Sequence, residues 1–248
     1  MCVLEGPDLV NEALSAGAEF EAIYIDAGVV DSSVVSALTK RASELGVRVF
    51  ALENGVIEKI ADVQTPQPVL AAVRFSTSPL SELNVEGLTL VLHNLRDPGN
   101  LGTIIRSADA AGVTSVVITG HSVDPYNPKT LRATAGSIFH LPIAVGDLYE
   151  SLDYFGNAGA TTWATVIHGG NELRSISFVG PSVVVIGNEA DGLESDVITR
   201  CQGTLSIAMR GRSESLNAGV AAGLIAFAAM WQEQGTAPAI SSPSLEAS

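Results

Sequence analysis

Three short stretches of this 248-residue chain carry polar residues of types and spacings that could hold a ligand. The first, LHNLRDPGNLGTIIRSADAAGV, spans 92–113. Pro98 pushes Asp97 into an extended conformation, so a preceding strand ends there. Asn100 is read as the N-cap of a helix starting at Leu101. Leu101, Ile104, Ile105 and Ala108 keep the i, i+3, i+4, i+7 spacing of a buried stripe. Arg106 falls off that stripe. It follows Gly102 by four residues, and helical side chains lean toward the N-terminus, so its guanidinium is expected to pass over the bare glycine toward Asn100. A cation and an amide would then meet at a strand end beside a helix N-terminus, where open α/β sheets take ligands. A capped surface helix with a solvated arginine would read the same way.

The second stretch, SVVVIGNEADGLES, is an apolar strand followed by Gly187, Asn188 and Glu189. A glycine at a strand end lets backbone approach a ligand closely, and Glu189 is the carboxylate directly at that exit. Turns between strands and helices commonly carry such residues, so this stretch is weak by itself. The third, TLSIAMRGRSESLNAGVAAGLIAF, reads as a strand, a loop with Arg210 and Arg212, and a helix opened by Ser215, Leu216 and Asn217. Ser215 is the expected cap. Leu216, Val220, Leu224, Phe227 and Trp231 make this helix apolar on most sides, which predicts burial, partly in a subunit interface.

The elements that must position these stretches follow from periodicity. Strands are predicted at 20–25, 47–52 and 68–75, with helices at 36–46 and 54–61, forming a small α/β unit over 1–75. The polar, turn-rich segment 76–87 reads as a linker. A second α/β series spans 88–234, with strands at 89–95, 115–120, 161–167, 182–187 and 203–209. Its helices are predicted at 101–112, 128–138, 147–156 and 216–234. Such alternation implies a mainly parallel sheet covered on both faces. The tail 235–248 is expected to be disordered.

Composition narrows the classes. Hydrophobic residues make up 46% and charged residues 16%, enough apolar material for a real core. The longest apolar run, 218–231, falls short of the ~20 residues needed to span a bilayer. Cys2 and Cys201 are too few for a disulfide framework, which suits a reduced, cytoplasmic setting. The formal charge of −14 argues against a general nucleic-acid coat protein. Yet Arg96, Arg106, Arg210 and Arg212, four of the few basic residues, lie within the stretches described above. Glycine motifs for dinucleotides or a P-loop are missing, as is a nucleophile elbow. His93, His121, His140 and His168 lack metal-ligand spacing.

In this order, the three stretches resemble the SpoU (TrmH-like) family of RNA ribose 2′-O-methyltransferases, within the SPOUT class. DPGNLGTIIRSADAAG is similar to the family's first motif, VVVIGNEADGLES to its second and IAMRGRSESLNAGVAAGLI to its third. NPKTLRATAGSIFHLPI resembles the connecting segment, so the likeness covers roughly 88–234. The first 75 residues resemble the small substrate-binding domain often fused ahead. The resemblance implies a C-terminal trefoil knot holding S-adenosylmethionine, a homodimer and an RNA substrate, rRNA ahead of tRNA; no metal is implied. It further implies Asn100, Arg106, Glu189, Ser215 and Asn217 as the catalytic set. Gly187, Asn188, Ile207, Met209 and Leu216 are implied around the cofactor. Glu189 is left with two roles, holding a motif side chain or acting near the subunit boundary. Two departures stand out. Ala208 follows Ile207 where the family usually has proline. A basic stretch often precedes the equivalent of LEGPDLV, and its absence predicts weaker RNA binding and a truncated start. A non-catalytic RNA-binding or assembly protein and a small-molecule methyltransferase are the competing classes.

Overall fold

The computed structural model describes residues 1–60, 66–233 and 235. The first sheet comprises β1 (Cys2–Glu5), β2 (Glu19–Asp26), β3 (Val49–Leu52) and β4 (Val69–Arg74), in the order β1-β4-β2-β3. Helices α1 (Pro7–Ser15), α2 (Ser33–Glu44) and α3 (Val56–Ile60) lie between these strands in sequence. β1 and α1 were not anticipated; a four-residue strand is too short to show alternation.

The second sheet has seven strands, β5 (Leu88–His93), β6 (Ser115–Thr119), β7 (Ile143–Gly146), β8 (Thr161–Thr165), β9 (Asn171–Glu172), β10 (Ser182–Ile186) and β11 (Gly203–Ser206). Their order is β7-β6-β5-β10-β8-β11-β9 and every pairing is parallel. The accompanying helices are α4 (Pro98–Ala110), α5 (Pro128–Thr134), α6 (Leu148–Asn157), α7 (Ser195–Arg200) and α8 (Ala218–Glu233). Strand side chains alternate between two cores. Leu90, Leu92, Val184 and Ile186 join Ile104, Ile105, Leu131 and Ile225 on one face. Val91, Val183 and Val185 join Leu152, Phe155 and Val197 on the other. β5 and β10 are neighbours, yet β5 leads into α4 on the first face and β10 into α7 on the second. Neighbouring strands whose connections part in this way leave a crevice at their carboxyl ends.

The first sheet shares a core with α4, α5 and α8, because Leu4, Val10, Ile23 and Val69 belong to the same cluster as Ile104 and Leu131. Arg132 of α5 pairs with the largely buried Glu5 at 2.9 Å. The segment read as a linker is pinned to the second sheet. Ser78 N–H donates to the Ile143 carbonyl at 2.7 Å, and the Tyr154 hydroxyl donates to the Leu83 carbonyl at 3.0 Å. The predicted disordered tail lies outside the described residues, apart from Gly235. The two cysteines are free, and burial pushes the Cys201 thiol up to about 11.

Two predicted orientations are corrected by the packing of α4 and α8. α8 turns its small residues, among them Ala218, Gly219, Ala222 and Ala229, to the core, while Val220, Leu224 and Trp231 are exposed. Small residues face inward because α8 lies close against α4: a Cβ on Gly219 would sit 3.1 Å from Thr103 Cγ2. Gly102 does not leave space for Arg106 either. A Cβ there would lie 2.4 Å from Ala133 Cβ and 2.8 Å from the Thr130 carbonyl oxygen of α5. Gly102→Ala is therefore expected to destabilise the fold by about 1–3 kcal/mol, read as a lower urea midpoint at unchanged slope. An unchanged midpoint would contradict this close crossing.

Candidate active site

The β5–α4 connection is short. Asp97, not Asn100, caps α4: its Oδ1 accepts the Asn100 backbone N–H at 2.7 Å. Pro98 occupies the first helical position, where its missing N–H costs nothing, so the helix starts earlier than predicted. Asn100 lies in the first turn, and its side chain is not spent on the cap.

At α8 the cap is Asn217, whose Oδ1 accepts the Val220 N–H at 3.2 Å. Ser215, the expected cap, instead accepts the Ser213 hydroxyl on its carbonyl. Because Asn217 Oδ1 faces a backbone donor, its Nδ2 must donate elsewhere, and it donates to Asn100 Oδ1 at 2.8 Å. Asn100 Nδ2 then donates to Glu189 Oε1 at 2.5 Å. One directed chain of hydrogen bonds thus joins all three stretches. Within the protomer, Glu189 accepts from the Asn100 amide.

Glu189 is placed by a tight turn. Asn188 Oδ1 accepts the backbone N–H groups of Ala190 and Asp191, each at 2.8 Å. The chain folds back so closely that a Cβ on Gly187 would sit 2.3 Å from the Gly192 carbonyl. Only glycine fits there.

Beside this turn, a cavity of about 280 Å³ opens among the ends of β8, β10 and β11 and the start of α8. Its walls are mostly aliphatic, with Ile186, Leu205 and Ile225 among them. Gly187, Asn188, Ile207, Met209 and Leu216, all expected around a cofactor, line it, as do Glu189 and Ser215. Asn100 and Asn217 are not wall residues; they connect to the cavity through Glu189. Arg106 is exposed, with no polar partner among the described residues. It does not reach the Asn100 amide, which Glu189 and Asn217 engage. Six residues of helix, ~9 Å of rise, separate the two. Thr165, Val166 and Ile167 also line the cavity and were missed. Their signal is the glycine pair after β8: a Cβ on Gly170 would meet Val166 Cγ2 at 2.7 Å.

Residues 87–227 match the SpoU rRNA Methylase family, and residues 1–71 match the MRM3-like substrate binding domain. The chain belongs to the SpoU rRNA methylase family. It is 30% identical over 227 residues to the 23S rRNA (guanosine(2553)-2′-O)-methyltransferase RlmP of Bacillus subtilis (strain 168), covering 91% of this chain and 86% of that protein. It is also similar to the AdoMet-bound rRNA methyltransferase from Sinorhizobium meliloti. There the TM-score is 0.82 at 31% identity, over 94% of this chain and 87% of the other. The SpoU methyltransferase AviRb from Streptomyces viridochromogenes, in complex with AdoMet, gives a TM-score of 0.82 at 28% identity, over 95% and 91%.

Asn217→Ala is expected to lower the unfolding free energy by about 1 kcal/mol through loss of the cap. Asn217→Asp keeps an acceptor for the Val220 N–H and is expected to cost less. Thermal unfolding of both variants checks the order, and equal stability of Asn217→Ala and wild type would remove Asn217 as the cap.

Proposed function

We propose that this chain transfers a methyl group from S-adenosylmethionine to a ribose 2′-hydroxyl of ribosomal RNA, with 23S rRNA the first candidate. The observation that carries this reading is the Glu189–Asn100–Asn217 chain at the lip of an apolar cavity. Aliphatic walls suit an adenine ring, and the side-chain-free backbone at Gly187 can approach its polar edge. Gly187, Asn188, Ile207, Met209 and Leu216 are the residues assigned to that cofactor. S-adenosylmethionine supplies a methyl group on a sulfonium, already electrophilic without a metal.

The protein's task is then the ribose hydroxyl, a poor nucleophile until its developing negative charge is stabilised. Arg106 supplies the compensating positive charge and holds the neighbouring phosphate. A guanidinium has donors only and is a poor proton acceptor, so its contribution is electrostatic and positional. Asn100, Ser215 and Asn217 orient the hydroxyl, and Glu189 keeps the Asn100 amide turned correctly. Residues 1–75 serve recognition of the RNA.

The reading includes a homodimer. Arg106 points into solvent, and the neighbouring α8 exposes Val220, Leu224 and Trp231 at 51%, 40% and 38%. Pairing across this face would bury the apolar stripe and bring Arg106 to a cavity it does not line within its own protomer. A trefoil knot in the C-terminal part of the second sheet and a cytoplasmic site of action belong to the same reading.

Labelled methyl transfer to unmodified 23S rRNA, 16S rRNA and tRNA, offered separately, tests this directly. The expected result is a 2′-O-methylated nucleoside from rRNA. Arg106→Ala is expected to slow transfer about 100-fold while cofactor affinity stays within a few fold. Wild-type turnover in that variant would contradict the role of Arg106. Sedimentation of Leu224→Glu is expected to show monomers where wild type shows dimers, and an unchanged mass would overturn the α8 interface.

A further inference from the structure

We propose that Asn94 is a positioning residue for the transfer reaction. Its side-chain amide ties the loop leading to Asn100 to the loop that carries Glu189. The proposal rests on the methyltransferase reading above and adds a residue to it.

Asn94 follows β5 directly and adopts a left-handed conformation, with φ of 57°. Among non-glycine residues only Asn94 and Ala135 do so in the described part of the chain. Asparagine tolerates this region better than most residues, though at a cost. The conformation turns its amide into the crevice between the ends of β5, β6 and β10. There Oδ1 accepts the His121 backbone N–H at 2.8 Å. That backbone donor settles the amide's orientation, so Nδ2 must be the donating end. Nδ2 donates to Glu194 Oε1 at 3.1 Å and lies 3.0 Å from His93 Nε2.

The imidazole completes a consistent network. The Thr119 hydroxyl lies 3.3 Å from the Leu92 carbonyl, to which it donates, so it accepts from His93 Nδ1 at 2.9 Å. Nε2 faces both Asn94 Nδ2 at 3.0 Å and Glu194 Oε2 at 3.4 Å. The site is also shaped for the amide, since a Cβ on Gly120 would fall 2.4 Å from Asn94 Oδ1.

What this amide joins gives it a role. Three residues on, Asp97 caps α4 and fixes the start of the turn bearing Asn100. Glu194 lies five residues after Glu189, on the far side of the Gly187–Gly192 turn. The first and second motifs are therefore tied at two carboxylates: Glu189 accepts from Asn100, while Glu194 accepts from Asn94 and also faces His93 Nε2 at 3.4 Å. A tie at Glu189 alone would leave its turn free to pivot; the contacts at Glu194, of which the Asn94 amide makes the shorter, restrict that freedom. Asn94 and Glu194 line no part of the cavity, so their effect acts through the residues they hold. Reacting groups misplaced by about 1 Å lose on the order of 100-fold in rate.

The test uses the full chain and four forms: wild type, Asn94→Gly, Glu194→Ala and Glu194→Gln. Glycine keeps access to the left-handed backbone while removing the amide. Glutamine keeps an acceptor for Asn94 Nδ2, whereas alanine does not. We expect kcat for methyl transfer to rRNA to fall at least about tenfold in Asn94→Gly and Glu194→Ala. Glu194→Gln should recover to within about threefold of wild type, and affinity for S-adenosylmethionine should change less than about threefold throughout. Hydrogen exchange of residues 187–194 should quicken in the first two variants and not in the third. Wild-type kcat in Asn94→Gly would overturn the proposal. Equal loss in Glu194→Ala and Glu194→Gln, or a parallel loss of cofactor affinity and melting temperature, would overturn it as well. A wild-type chain that transfers no methyl brings down the methyltransferase reading instead, and unchanged exchange in 187–194 then rejects the tie on its own terms.

Discussion

The backbone N–H of Val220 decides which way two side-chain amides face. As a donor only, it takes Asn217 Oδ1; that leaves Asn217 Nδ2 for Asn100 Oδ1, and Asn100 Nδ2 for the Glu189 carboxylate. A helix start thus dictates the hydrogen-bonding polarity of residues from three distant parts of the sequence. The order could not be reversed without pointing a donor at a donor. Glu189, acceptor-only when ionised, is a chemically suitable terminus for it.

The larger architecture brings the ends of this chain into range. Asn100 and Asn217 meet because α4 and α8 pack close, with Gly219 against Thr103. Glu189 meets them because β10 lies beside β5 in the parallel sheet, although 89 residues separate Glu189 from Asn100. The divergence of α4 and α7 to opposite faces opens the crevice in which both motifs end. A cavity lined by Gly187, Asn188, Ile207, Met209 and Leu216 lies beside a polar chain made from Glu189, Asn100 and Asn217. A formal charge of −14 does not conflict with an RNA substrate, because Arg106, on the same helix as Asn100, is exposed rather than neutralised by an acidic partner among the described residues.

Much of this arrangement was legible in residue order. Apolar runs revealed β5, β6, β8 and β10, and glycine after β10 marked the cavity edge. Caps were less legible. Both Asp97 and Asn100 suit an N-cap, and the choice depended on Pro98 fitting the first helical position. Ser215 and Asn217 posed the same ambiguity at α8. Side-chain direction was harder still, because the Gly102 face is decided by Ala133 of α5, a contact no local pattern encodes. Val220, Leu224 and Trp231 of α8 turned outward, while small residues such as Gly219 face the close α4 contact. Short strands such as β1 and β7 carry too few residues to display alternation.

Glu189 and Asn217 touch only through Asn100, so their energetic coupling reports whether the chain acts as one unit. A double-mutant cycle with Glu189→Ala and Asn217→Ala, read in the single-turnover rate of methyl transfer to rRNA, measures it. If the chain is a unit, either change breaks it, and the double variant will be no slower than the slower single variant within about twofold. Penalties that multiply in the double variant would show two independent contributions and contradict the account.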